Sequence, residues 1–142
     1  MRIEFELPHV FHQGSSSEED SCVLRLSLEY LIALDLEYLR RHAAPPLYRA
    51  GVVYGRTREW DSIAAVIARS YGDCKSLSAW RIAELRLSGV WAKPVFRWVQ
   101  RKDDGGKDFH ILVFLGSRYE DPSRILGMRA DALYFVMPEH AA

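Results

Sequence analysis

"SYGDCKSLSAWRIAELRLSG", Ser70 to Gly89, starts as a loop, turns helical at an aspartate and carries one of the chain's two cysteines. Asp73 is a good N-cap type because its carboxylate can accept from the unpaired amides of a first helical turn. Gly89 is placed to stop the helix, since glycine enters the left-handed conformation without a Cβ clash. Between them Leu77, Trp80, Ile82, Ala83, Leu85 and Leu87 leave little of the circumference polar, which predicts a central, buried helix. Cys74 then falls in its first turn.

Working outward, Asp61 reads as the N-cap of a short helix, Ser62 to Arg69, with Ile63, Val66 and Ile67 as its inward stripe. Before it, "LYRAGVVYGRTREW" reads as irregular, glycine-punctuated chain, and "AAPPL" ends whatever helix precedes it, because proline lacks the amide proton. Leu24, Leu26 and Leu28 alternate with polar residues and suggest a strand as far as Leu28, with a helix from about Tyr30 to His42. Ser17 followed by Glu18, Glu19 and Asp20 would equally cap one long helix running to "LRRH", acidic at its start and basic at its end. Residues 18–29 are open between the two. Ile3, Phe5 and Leu7 alternate with charges as a half-buried strand would.

After Gly89 the pattern turns to β. "VWAKPVFRWVQ" and "DFHILVFLG", joined by "RKDDGGK", predict an antiparallel hairpin; Tyr119 to Asp121 predicts a short strand ended by Pro122, and "DALYFVM" a last one. A chain of 142 residues with no repeat and no long linker is expected to form a single α+β domain.

Composition narrows the function. Lys plus Arg and Asp plus Glu both number 19, so no global field draws the protein toward nucleic acid or an anionic membrane. The most apolar run, Leu24 to Leu39, is interrupted by Arg25, Glu29, Asp35 and Glu37, which excludes a membrane span. The start of the chain lacks the apolar core of a signal peptide, so a soluble, unexported protein is expected. Two cysteines are too few for a disulfide scaffold, and without CxxC or His-rich spacing they do not suggest zinc. His9 and His12 have no acid or cysteine close by and read as loop surface. Trp91, Phe96, Trp98 and Tyr119 read as core rather than as a cleft lining, and Cys22 as inert.

A helix N-terminus lowers a thiol's pKa and offers N–H groups to an oxyanion. Cys74 at such a place is a candidate nucleophile, against the plainer reading of a small buried hydrophobe. His110, on a predicted strand with Leu112 and Phe114, needs an acceptor for its proton if it faces a core. Asp121, on the next element, can supply one. Nucleophile, base and orienting acid follow in that order. Tyr54 could lend its hydroxyl as a second oxyanion donor, though a packed aromatic is the simpler reading.

"GDCKSLSAWRIAELRLSGVWAKPV", "FHILV" and "EDPS" together resemble the transglutaminase-like superfamily of papain-fold cysteine enzymes: G-D-C at a helix start, a histidine on a strand, and D-P-[ST] on the next. The resemblance covers about residues 54–127, with the elements of 1–43 outside it. It implies a papain-like core, a buried helix bearing the cysteine packed on an antiparallel sheet, with Cys74, His110 and Asp121 as the triad. It also implies a peptide, protein or cell-wall amide as substrate, without a cofactor. A narrower likeness, in "PPLYRAGVVYGRTREWDSI", "AWRIAELR" and "EDPSRILGM", is to short transglutaminase-like proteins of tailed phages and prophages. That implies a cytoplasmic or virion setting, with other phage structural proteins as partners. Those proteins carry an acid after the cysteine where this chain has Lys75, a change that favours the thiolate. Hydrolysis is expected over amine transfer, and a non-catalytic assembly protein of the same fold is the alternative.

Overall fold

The computed structural model of the protein describes residues 16–100 and 106–129. The expected strands over 3–7 and 131–137, the hairpin tip at Asp104-Gly105, and His9 and His12 lie outside the described residues.

The first element among the described residues is a single helix, α1, Ser17–Arg41. It replaces the strand expected up to Leu28. The deciding feature is a capping box one residue before the anticipated cap: Ser16 Oγ accepts from the Glu19 amide at 3.1 Å, and Glu19 Oε2 accepts from the Ser16 amide at 3.1 Å. Leu24, Leu28, Leu31 and Ile32 then share the buried face at helical spacing, while Leu26, which made the sequence alternate, is 74% exposed. The first turns are fastened to the sheet by Trp98 Nε1 donating to Ser21 Oγ at 2.7 Å and Lys107 Nζ meeting the buried Asp20 carboxylate at 2.5 Å.

A 3-10 turn, Leu47–Arg49, and a short strand β1, Val53–Tyr54, occupy the stretch expected to be irregular. Helix α2 is Ile63–Arg69, and Asp61 is not its cap. The N-cap is Ser62, whose side chain makes no capping bond; Asp35 of α1 reaches across instead and accepts from the Ile63 amide at 2.9 Å. Asp61 pairs with Arg69 at 2.8 Å, and its own amide donates to Ser76 Oγ at 3.0 Å. Ile63 and Val66 are buried as anticipated, but Ile67 is 38% exposed. Ser70 closes α2 in the left-handed region, φ 68°, and leads into strand β2, Tyr71–Gly72, which lies parallel to β1.

Helix α3, Cys74–Leu87, begins at Asp73 as expected. It ends with Gly89 at φ +80°, where the Gly89 amide donates to Arg86 O at 3.0 Å and the Val90 amide to Leu85 O at 2.9 Å. Leu77, Trp80, Ile82 and Ala83 are fully buried; Leu87, in the last turn, is 48% exposed. Strands β3, Lys93–Gln100, and β4, Lys107–Phe114, form the expected antiparallel hairpin with Phe96 opposite Ile111 and Arg97 opposite His110. Strand β5, Tyr119–Glu120, pairs antiparallel with β4. It stops one residue short of the expectation, because Asp121 leaves the ladder to cap a one-turn helix, α4, Pro122–Ile125.

The fold is thus α+β, with α1 and α3 on a small antiparallel sheet. Two apolar clusters share α3. Leu28, Leu31 and Ile32 of α1 meet Ala79, Ile82 and Ala83 of α3 and Ile111 and Val113 of β4, and Leu47, Val52, Ile63 and Val66 enclose Leu77 and Trp80. Of the aromatics expected in the core, Phe96 packs at the rim of the first cluster, and Trp98 and Tyr119 are half-buried. Trp91 is outside it, 63% exposed and edge-on to Phe114. Among the described residues no helix is long and apolar enough to cross a membrane.

Candidate functional site

Cys74, His110 and Asp121 come from α3, β4 and the residue after β5, and the fold draws the three elements together. His110 is 3% exposed, and its Nε2 lies 2.9 Å from Asp121 Oδ2. The acceptor predicted for a buried histidine is therefore in place. Asp121 is itself held, because its Oδ1 accepts from the Arg124 amide at 3.2 Å and the Arg124 guanidinium stands 3.6 Å from Oδ2. One carboxylate both caps α4 and orients the ring.

Cys74 meets β4 at the peptide link between His110 and Ile111. The Ile111 amide is directed at the sulfur, and Ser78 Oγ, one turn further along α3, donates to Ile111 O at 3.3 Å. Beyond the end of β5, α3 thus takes over the hydrogen bonding of β4's open edge. Ile111 and Val113 turn toward α3, while the strand alternation places His110 on the face shared with Arg97 and Leu112. The sulfur thus meets β4 at its backbone edge, at the peptide group that follows His110.

The thiol itself departs from the sequence expectation. Cys74 is 9% exposed, and burial pushes it up to about 12, with the Asp73 carboxylate acting in the same sense. Lys75 and the Ile111 amide pull the other way and are outweighed. The lysine expected to favour a thiolate is already engaged: its ammonium forms an ion pair with Asp73, donates to Thr57 O at 3.3 Å and stands 5.8 Å from the Trp60 ring. Asp73 also accepts from the Lys75 amide at 3.1 Å, so the cap is anchored at two points.

Tyr54 is half-buried on β1, opposite Gly72, with its amide donating to Leu126 O at 2.9 Å. Burial raises its phenol, and the nearby Cys74 raises it further. It stands at the site's edge, while its ring packs against the Leu47–Trp80 cluster. Among the described residues no group of three or more His, Cys, Asp or Glu side chains is arranged to hold a metal ion.

Sequence reasoning missed the residues that hold β5. Arg81 of α3 contacts Glu120 Oε1 through Nε at 2.5 Å and Glu84 Oε2 through Nη1 at 3.3 Å, and it lies 5.0 Å over the Tyr48 ring. The Tyr48 hydroxyl donates to the same Glu120 oxygen, and Glu84 Oε1 accepts from the Leu47 amide at 2.6 Å. Burial pushes Glu120 up, but Arg81 and Tyr48 outweigh it and hold the carboxyl below its usual range. Glu120 adjoins Asp121, so this network sets where the histidine's partner stands. The available signal was Arg81, a charge set between the apolar Trp80 and Ile82 and three residues before Glu84.

No family model, curated protein or solved structure matches the chain.

Proposed function

We propose that the protein is a cysteine-dependent amide-bond hydrolase of the transglutaminase-like type, with a papain-like arrangement of helix and sheet. The observation that carries the reading is the His110–Asp121 bond of 2.9 Å, formed beside the peptide group that receives the Cys74 sulfur. Asp121 engages Nε2, so proton exchange with the thiol runs through Nδ1. Because burial keeps the thiol protonated, His110 removes the proton as the sulfur attacks rather than beforehand. The S–C bond forms, the leaving amine takes the proton back from the imidazolium, and a thioester remains. Water, deprotonated by the same ring, then releases the acid and the free thiol. Asp73 covers the Lys75 amide, which leaves the Cys74 N–H, with the Tyr54 hydroxyl, to face an oxyanion. Hydrolysis is favoured over transfer to an amine, because transfer requires a cleft that orients the amine and excludes water.

A second reading, an assembly protein of a phage particle that keeps the fold without catalysis, is favoured by one observation: both Cys74 and His110 are buried. The two separate on a panel of peptide and cell-wall amides incubated with a labelled primary amine, with acid and amine-adduct products followed by mass spectrometry. The hydrolase reading expects acid products that vanish in Cys74→Ala and fall by roughly 10²- to 10⁴-fold in His110→Ala. Adduct as the main product means a transferase. No turnover, with Cys74 inert to peptide electrophiles, means the assembly role.

A further inference from the structure

We infer that the outward face of α1 is the contact surface of a symmetric dimer, in which two copies of the helix lie antiparallel about a two-fold axis through Tyr30. Leu26, Tyr30 and Leu34 recur every fourth residue, so they form one stripe, and they are 74%, 41% and 41% exposed. The stripe runs opposite the face carrying Leu24, Leu28, Leu31 and Ile32, which is spent on α3 and the sheet. Ala33 and Cys22, both exposed, border it.

The occupant is argued from charge and symmetry. The first turn of α1 is acidic, with Glu18, Glu19 and Asp20, and the last is basic, with Arg40 and Arg41. Asp20 is buried against Lys107, which leaves Glu18 and the exposed Glu19, whose Oε2 also accepts the Ser16 amide of the capping box, for solvent or a partner. Arg41 is 74% exposed, with a single contact of 3.4 Å to Glu37. Tyr30 lies one residue past the midpoint of the 25-residue helix. An antiparallel second copy about that point sets Leu26 against Leu34 of the second copy, Tyr30 against Tyr30, and Glu19 against Arg41 of the second copy. The Leu26–Leu34 and Glu19–Arg41 pairs are each made twice and the Tyr30 pair once, on the axis, as an isologous contact demands, and the helix dipoles run antiparallel. A parallel pair would set acid on acid and base on base. The helix is about 37 Å long at 1.5 Å per residue, enough for a reversible dimer but short of an obligate one.

Sedimentation velocity across the micromolar range is the first test. The full chain is expected to shift from monomer to dimer with concentration, and Leu26→Glu to remain monomeric with an unchanged circular dichroism spectrum. Glu19→Arg and Arg41→Glu should each weaken association by several-fold, and the double exchange should restore it. Loss of the capping box is common to Glu19→Arg and the double exchange, so a folding defect cannot imitate that recovery. In a Cys22→Ser background, Tyr30→Cys should form a disulfide-linked dimer under mild oxidation and Leu26→Cys should not. A chain that stays monomeric throughout, whether the stripe is bare or covered by another segment of the same chain, overturns the inference. So does a dimer indifferent to Leu26→Glu, or one in which Leu26→Cys links as readily as Tyr30→Cys, the mark of a parallel pair.

Discussion

Replacing Asp35 by asparagine should remove most of a pH dependence that the fold builds into α1. Asp35 is fully buried; one carboxylate oxygen accepts the Ile63 amide at 2.9 Å, and the other has no hydrogen-bond partner among the described residues. Burial therefore pushes its carboxyl from 3.8 up to about 7, the Ile63 bond opposing this only in part. In the unfolded chain the group ionises near the lower value. Between about pH 4 and pH 7 the unfolded chain has released a proton that the folded one retains, so stability falls as pH rises through that window and levels off above it. Three pH units at about 1.4 kcal/mol each give a loss of about 4 kcal/mol, an upper value because relaxation around the carboxylate would reduce it. Asparagine keeps the acceptor for Ile63 and has nothing to ionise. The assay is urea unfolding of both proteins from pH 4 to pH 8, taking the difference between them at each pH. Asp73 and Glu84, which burial also raises, cancel in that difference. The wild type should lose ground to Asp35→Asn by several kcal/mol across the window; parallel curves would show that Asp35 is ionised and satisfied in the fold.

Iodoacetamide near neutral pH should modify the exposed Cys22 before Cys74, the reverse of what a thiolate at a helix start would give; peptide mapping over time decides it. Ser70→Gly should stabilise the protein by roughly 0.5–1 kcal/mol by relieving a left-handed non-glycine residue, and a lower denaturation midpoint would count against that strain. Leu28→Ala, at a fully buried position, should cost about 2–5 kcal/mol in chemical denaturation, whereas Leu26→Ala, two residues away, should change stability by less than about 0.5 kcal/mol.

What could be read from the chain alone depended on how local the signal was. Asp73 and Gly89 bounded α3 correctly because caps act within a few residues, and the β3–β4 hairpin followed from two β-rich runs around a turn. Residues 18–29 were ambiguous because Leu26 is an apolar residue facing outward; it made a helix look like a strand until the Ser16–Glu19 box decided the matter. Asp61 looked like a cap, but the acid that serves α2 is Asp35, 28 positions before the Ile63 amide it accepts, a pairing that only the tertiary fold creates. At the site, the partnership of His110 with Asp121 was legible from residue type and strand order. The protonated state of Cys74 was not, since it depends on how completely β4 and α3 close over the sulfur.

That α3 serves two apolar clusters at once also bears on how such a chain can change over evolutionary time. Trp80 belongs to the cluster around Leu47 and Ile63, while Cys74, less than two turns away on the same rigid rod, belongs to the cluster against Ile111. A volume change near Leu47 that displaced the rod by a fraction of an ångström would be delivered to the sulfur and to the peptide beside His110. Drift in the cluster around Leu47 is therefore coupled to whatever selection acts on Cys74. Substitutions in residues 47–66 should be tolerated as compensated sets rather than singly, although none of those buried side chains need touch a substrate.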